Sequence, residues 1–315
     1  MILKNVLDIE IDDIVQLWND SIGEKFPMSE KLWMQNTLQD KNVLREASIA
    51  IYQNEQLMGL VVAKYYQEDF QVNISPNIGW IQCLLVRKSA RNQGIGYKLL
   101  NHVEKVFCDL SLSEIRLGGD PWHYFPGVPY EDTVAIKWFE KHGYKNSSIV
   151  TDLLKEVRNM KPYKLENSSH HFRVLTKEDI PKLLSFLEVV FPGRWHYEAL
   201  RYADMGGNGR EFIGLFLGDE LQGFCRINDT TSSIIAQNVY WSSLVSGPLG
   251  GIGPLGIARH VRGNQYGIDL IRAAANELMA RGMDYIVIDW TQLVSFYEKL
   301  SFMPWKEYQT MSKSI

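Results

Sequence analysis

The feature that most constrains the fold of this chain is a long internal repeat, because one order of elements occurs twice. Ile49-Ala-Ile-Tyr-Gln-Asn-Glu-Gln-Leu-Met-Gly59-Leu-Val-Val-Ala63 reads as β-branched strand, polar turn and strand. Phe212-Ile-Gly-Leu-Phe-Leu-Gly-Asp-Glu-Leu-Gln-Gly223-Phe-Cys-Arg-Ile227 repeats it, with Gly223 standing 164 positions after Gly59. Each hairpin is followed by a strand-like run, Ile78 to Val86 and Gly253 to Ile257, then by an Arg- and Gly-containing turn and an amphipathic helix. The helices start near Gly94 and Gln265. Their apolar positions recur at spacings of three and four: Ile95, Leu99, Leu100, Val103 and Phe107, then Ile268, Leu270, Ile271, Ala274 and Leu278. A short strand follows in each half, Glu114 to Leu117 and Tyr285 to Asp289. A last helix then ends in Trp138-Phe-Glu-Lys-His-Gly-Tyr144 or Phe296-Tyr-Glu-Lys-Leu-Ser-Phe302.

The 315 residues suffice for two such units, each able to bury a core. Asn159-Met-Lys-Pro-Tyr-Lys-Leu-Glu-Asn-Ser-Ser-His170 is polar, carries Pro162 and lacks an apolar period, so it reads as a linker. The expected domains are 1–160 and 161–315. Each opens with a strand and an acidic helix start, Ile9 to Trp18 and Phe172 to Ile180, where Thr176 is the candidate cap. The fold class expected is α/β: a mixed αβα sandwich, formed twice.

Composition narrows function. Thirty-three Lys and Arg stand against 37 Asp and Glu, a net charge of −4, so no basic field draws the chain to nucleic acid or an anionic membrane. A cationic or neutral small partner fits better. Cys83, Cys108 and Cys225 form no C-x-x-C pair, and His170-His171 lacks partners at ligand spacing, so neither a disulfide framework nor a metal site is expected. The first 13 residues turn acidic too early for a signal peptide, and no run of about 18 apolar residues occurs, which places the chain in the cytoplasm.

The most informative segment is Leu84-Leu85-Val86-Arg-Lys-Ser-Ala-Arg91-Asn92-Gln93-Gly94-Ile95-Gly96, an apolar strand that turns directly into a helix. Such a turn aims several N–H groups at one spot beside the positive end of the helix. Gly94 and Gly96 allow close backbone approach, and Arg91 adds a permanent cation. The ligand implied is an anion. The spacing is neither that of a Walker loop nor that of a dinucleotide-binding G-x-G-x-x-G.

With its upstream hairpin and downstream strand and helix, the segment resembles the GNAT N-acetyltransferase superfamily. The resemblance spans nearly the whole chain as a tandem, each half with a mostly antiparallel central sheet flanked by helices. In that family an R/Q-x-x-G-x-G/A turn grips the pyrophosphate of acetyl-CoA, and the preceding strand splays from its neighbour to receive the pantetheine arm. The second half carries the pattern less completely: Ile257, Arg262, Gly263, Gln265 and Gly267 stand at the corresponding places, with Gln265 where the motif has glycine. Gln265 either crowds the phosphate or is relieved by Gly263.

The resemblance implies an acetyl-CoA-dependent N-acetyltransferase acting on a small amine. The alternative is a binding or scaffold module of the same fold. A tyrosine on the last helix often serves the family as acid for the leaving thiolate; Tyr297 keeps it in the second half, whereas the first half has Phe139. The first half adds a long loop, Gly118-Gly-Asp120-Pro-Trp122-His123-Tyr124-Phe-Pro-Gly127-Val-Pro-Tyr130-Glu-Asp132, similar to one in acetyltransferase-like domains appended to some O-GlcNAc hydrolases. There His123 or Asp120 is the candidate base, Trp122 or Tyr124 is expected to line the acceptor pocket, and water or Tyr124 to assist the thiolate. A Pro- and Gly-rich aromatic loop also suits a plug at the sheet edge. Trp195-His196-Tyr197 is expected on acceptor-side helices or packed against the linker, and Trp80, Gln82, Asp289 and Trp290 lie at strand positions near the clefts.

Overall fold

The computed structural model describes residues 2–165 and 170–315. Contacts divide the chain into two units that are not contiguous in sequence. The first comprises Met1–Asp69, Ser75–Thr151 and Lys306–Ile315, and the second comprises Phe70–Ile74 and Asp152–Trp305. Residues 152–160 thus fold with the second unit and the C-terminal strand with the first. The linker is described up to Leu165. Its Tyr163 exchanges two hydrogen bonds with Asn276, while Glu166 to Ser169 lie outside the described residues.

In the first unit the elements run β1 (Ile2–Asn5), α1 (Ile11–Ile22), α2 (Glu30–Trp33), β2 (Ile49–Gln53), β3 (Gln56–Tyr65), β4 (Ile78–Val86), α3 (Ile95–Asp109), β5 (Glu114–Leu117), β6 (Val128–Pro129), α4 (Thr133–Lys141) and the start of β7 (Lys145–Glu156). The second has β8 (His170–Val174), α5 (Ile180–Val190), α6 (Arg194–Asp204), β9 (Phe212–Leu217), β10 (Glu220–Asn228), β11 (Leu249–Ile257), α7 (Tyr266–Ala280), β12 (Tyr285–Thr291) and α8 (Val294–Glu298). The chain then returns to the first unit along β13 (Met303–Ser314).

The first sheet is ordered β1-β2-β3-β4-β5-β13 and the second β12-β11-β10-β9-β8. Pairing is antiparallel except for β4 with β5 and β11 with β12. Both units are mixed α/β layers with mostly antiparallel sheets. The C-terminal strand fits the first unit through Ser312, Lys313 and Ser314, which pair with Arg116, Ile115 and Glu114.

The helical periodicity explains how the layers close. All five apolar positions of α3 are buried against Ile51, Val61 and Ile115 in one core. Four of the five on α7 are buried in the second core, and Ile268 is partly exposed. Strand β11 begins at Leu249, four residues before the sequence suggests, because its glycines disguise it. A Cβ at Gly250 would press on Leu278 and Met283 at 3.0 Å, so helix packing removes the β-formers that would mark the strand. Phe70, from the loop after β3, lies with its ring centroid 6.0 Å from that of Tyr197 on α6 inside the second unit, and Asn73 N–H donates to Pro192 O.

Candidate functional site

The site begins where two parallel strands part. β4 and β5 pair from Ile78 with Glu114 to Ile81 with Leu117, and Gly118 N–H closes the ladder on Ile81 O at 2.9 Å. β5 then leaves, while β4 continues to Val86. At the parting a bulge makes Gln82 an extra residue, since Val62 faces Cys83 but Ala63 faces Ile81. Leu84, Leu85 and Val86 therefore follow the notch, on the stretch of β4 beyond its pairing with β5.

β4 runs into a tight turn. Arg91 is exposed and folds Nε back onto Val86 O at 3.2 Å, Asn92 is left-handed at φ 61°, and Gln93 donates to Ser89 O. Gly94 is left-handed at φ 78° and starts α3 without a side-chain cap. The first N–H groups of α3, from Ile95 and Gly96 on, therefore face outward with partial positive charge. A Cβ at Gly94 would meet no atom within 4 Å, whereas one at Gly96 would meet Trp138 at 3.5 Å and Val86 at 3.7 Å. An exposed cation, an uncapped helix end and clear space at Gly94 fit a diphosphate.

The second unit builds the same backbone. Arg262 returns Nε to Ile257 O at 3.1 Å, Gly263 is left-handed at φ 93°, and Gln265 takes the left-handed cap at φ 59°. A Cβ at Gly267 would meet Phe296 at 3.5 Å and Ile257 at 3.7 Å, matching the contacts at Gly96.

Beyond the first notch, the loop from Asp120 to Val128 is buried throughout. Its aromatic part packs as a plug: Phe125 stacks on Trp18 at 5.7 Å, and Tyr124 on Trp33 at 5.9 Å. Its polar part is organised around a lysine that no sequence motif marks. Lys64, fully buried at the end of β3, lies 2.8 Å from Asp120 and 2.7 Å from Asp40. Burial alone would lower its pKa, but the two carboxylates more than offset that and hold it up. Burial pushes the Asp120 carboxyl up, and Lys64 pulls it part of the way back. The signal in sequence was one charge closing an otherwise apolar strand.

His123 is buried, with its N–H 3.0 Å and its Nδ1 3.1 Å from Asp120 O. With Nδ1 donating, Nε2 is the basic nitrogen. Thr37 donates to Gln82 Oε1 at 3.2 Å, so Tyr124 donates its proton to Thr37 at 2.8 Å. Gln82 in turn donates to Asn36 O and Trp122 O. The structure thus sets two polar groups side by side on one loop: Asp120 and His123 with Lys64 and Asp40, and Tyr124 with Thr37 and the bulge of β4. Phe139 is buried between Trp138 and Tyr144.

Tyr297 lies elsewhere, in the second unit, on the short α8. It is buried, which raises its pKa, and it is hydrogen-bonded to Thr291 near Asp289. Trp195, His196 and Tyr197 lie on α6. Cys83 and Cys225 are buried, and Cys108 is exposed. Among the described residues no helix is long and apolar enough to cross a membrane.

Residues 11–144 match the model of the acetyltransferase (GNAT) family. No curated protein matches the sequence. Among solved structures, the GCN5-related glucosamine N-acetyltransferase region of a fungal multi-domain GH3 β-N-acetylglucosaminidase superposes with a TM-score of 0.87 at 21% identity. That match covers 99% of this chain, which spans 38% of that one. A GCN5-related N-acetyltransferase from Sphaerobacter thermophilus gives a TM-score of 0.70 at 12% identity, covering 99% of this chain and 95% of that one. A tandem GNAT protein from the clavulanic acid biosynthesis pathway gives 0.70 at 13% identity, covering 99% and 98%. The notch, the uncapped turn and these likenesses agree: residues 11–144 belong to the acetyltransferase (GNAT) family, and the whole chain has the tandem GNAT fold.

Proposed function

We propose that this chain is an acetyl-CoA-dependent N-acetyltransferase of a small amine, with transfer carried out in the first unit. The observation that carries the reading is the open edge of β4 running into the uncapped Arg91 to Gly96 turn. Arg91 and the first N–H groups of α3 hold the diphosphate, and the backbone of Leu84, Leu85 and Val86 holds the pantetheine arm as a strand would. Acetyl-CoA supplies the acetyl group as a thioester.

His123 Nε2 takes the proton of the acceptor ammonium. The carbonyl of Asp120 fixes its tautomer, and the carboxylates of Asp40 and Asp120 around Lys64 favour a cation beside them. An amino sugar is the first acceptor to try. The fold is shared with the glucosamine N-acetyltransferase region named above.

The reading is tested by thiol release over a panel of glucosamine, polyamines, amino acids, aminoglycosides and peptides, beside calorimetry with CoA. The expected result is turnover on one amine class and about 100-fold weaker CoA binding in Arg91→Glu or Gly94→Asp, each of which sets negative charge against the phosphates. Unchanged affinity would sink the assigned turn. Tight CoA binding with no turnover on any amine would make the chain a binding module.

A further inference from the structure

The second unit has a notch of its own, and it is furnished differently. β11 and β12 pair from Leu249 with Tyr285 to Ile252 with Ile288, then part. Ile252 and Ile288 stand 171 positions after Ile81 and Leu117, as Arg262 does after Arg91. By that count Asp289 occupies the place of Gly118, so a carboxylate stands where the first unit has no side chain.

β11 is stripped of side chains opposite it. A Cβ at Gly253 would lie 3.0 Å from Asp289 Oδ1, and one at Gly251 only 1.9 Å from Asn238 Oδ1. Glycine within a strand weakens it and is found where something must approach the backbone closely. Here it admits a polar cluster. Asn238 Nδ2 donates to Asp289 Oδ1 and Gly253 O, both at 3.3 Å, and Asn238 Oδ1 accepts from Asn228 Nδ2 at 3.2 Å. Asn228 is completely buried, yet its Oδ1 takes no hydrogen bond from the described residues.

The charges around this cluster are sorted. Glu198, buried on α6, receives Arg194 Nε at 2.6 Å and lies 3.8 Å from Arg226. Burial pushes the Asp289 carboxyl up to about 6, against the pull of Arg194 and with the push of Glu198. Trp290 borders the notch, half-exposed and left-handed at φ 46°; the Arg194 guanidinium lies 4.5 Å from its ring centroid, and its N–H is tied to Asp152 at 2.9 Å.

We propose that this notch is a second ligand site, in which Asp289 binds the ammonium of a small hydroxylated amine. The buried amides of Asn228 and Asn238 meet its hydroxyls, and Trp290 flanks it. A carboxylate calls for a cation, and an amide oxygen without a donor calls for a hydroxyl. The site shares no residue with the one proposed in the first unit, so either proposal can fail alone.

The test is calorimetry of the full chain with D-glucosamine as probe and N-acetyl-D-glucosamine as its counterpart lacking the ammonium. The expected result is that Asp289→Asn, an isosteric change whose folding is checked by its Tm, removes one equivalent of glucosamine or weakens it tenfold or more. Titration near pH 6 in buffers of different ionisation enthalpy should show proton release on binding to the native chain, lost in Asp289→Asn and partly regained in Asp289→Glu. Overturning outcomes are an isotherm unchanged in Asp289→Asn, equal binding of N-acetyl-D-glucosamine, or no binding of glucosamine to the native chain.

Discussion

The turns that open α3 and α7 share a backbone and differ in what stands on it. Arg91 and Arg262 have the same φ of −67° and return Nε to the last carbonyl of the preceding strand, at Val86 and Ile257. Gly94 and Gln265 both take the left-handed cap. A left-handed conformation costs a non-glycine residue about 1 kcal/mol, too little to unmake a turn that the strand and helix on either side hold in place. Backbone geometry therefore survives the loss of a motif glycine, and a motif search alone overstates how far the second unit has diverged. The notches show the opposite. Their strand pairings match, but a glycine in one is an aspartate in the other, and the chemistry differs accordingly.

The largest effect expected comes from the ion cluster of the first notch. Lys64→Met would leave Asp40 and Asp120, both almost wholly buried, facing each other without a cation. Losing one partner of a buried pair costs about 3–5 kcal/mol, read as a fall in the midpoint of chemical denaturation. Stability unchanged within error would mean that Asp120 carries a proton in the native state, and the field assigned to this notch would have to be redrawn.

Activity next separates the units. His123→Ala should lower kcat by about 10²-fold or more with little change in CoA affinity, since general-base catalysis is typically worth that much. Tyr297→Phe in the second unit should be mild. A thiol leaves readily without an acid, and Tyr297 is buried and bonded to Thr291. The reverse pattern would move the reaction to the second unit.

Much of this was legible from local signals. The face of α3, the bounds of β4 and β5, and the helix start at Gly94 follow from spacing and from one strand-to-helix turn, each determined by residues within a few positions. Legibility fails where partners are distant. The return of Lys306–Ile315 to the first unit and the docking of Phe70 on Tyr197 depend on contacts across more than 100 residues. Asp120 carries no local sign of its partner Lys64, which lies 56 positions away on β3. The role of Asp289 is not legible in sequence, because Asn228, Asn238 and the glycines that admit it show their meaning only in three dimensions.

The smallest effect bears most directly on the two turns. Gln265→Gly restores the motif at the one position where the second turn departs from it. If the two backbones are equivalent, relief of the left-handed side chain should stabilise the protein by about 1 kcal/mol or less, since the greater freedom of glycine in the unfolded chain cancels part of the gain. The same change clears the space that is open at Gly94, so CoA titrated by calorimetry should rise from one equivalent to two. One equivalent in both proteins, with the stability gain present, would show that the turn is preserved but that the strand edge beyond Gly253 does not receive the arm. Two equivalents already in the native chain would mean that the Gln265 side chain swings clear, and the difference between the units would then reside in their notches alone.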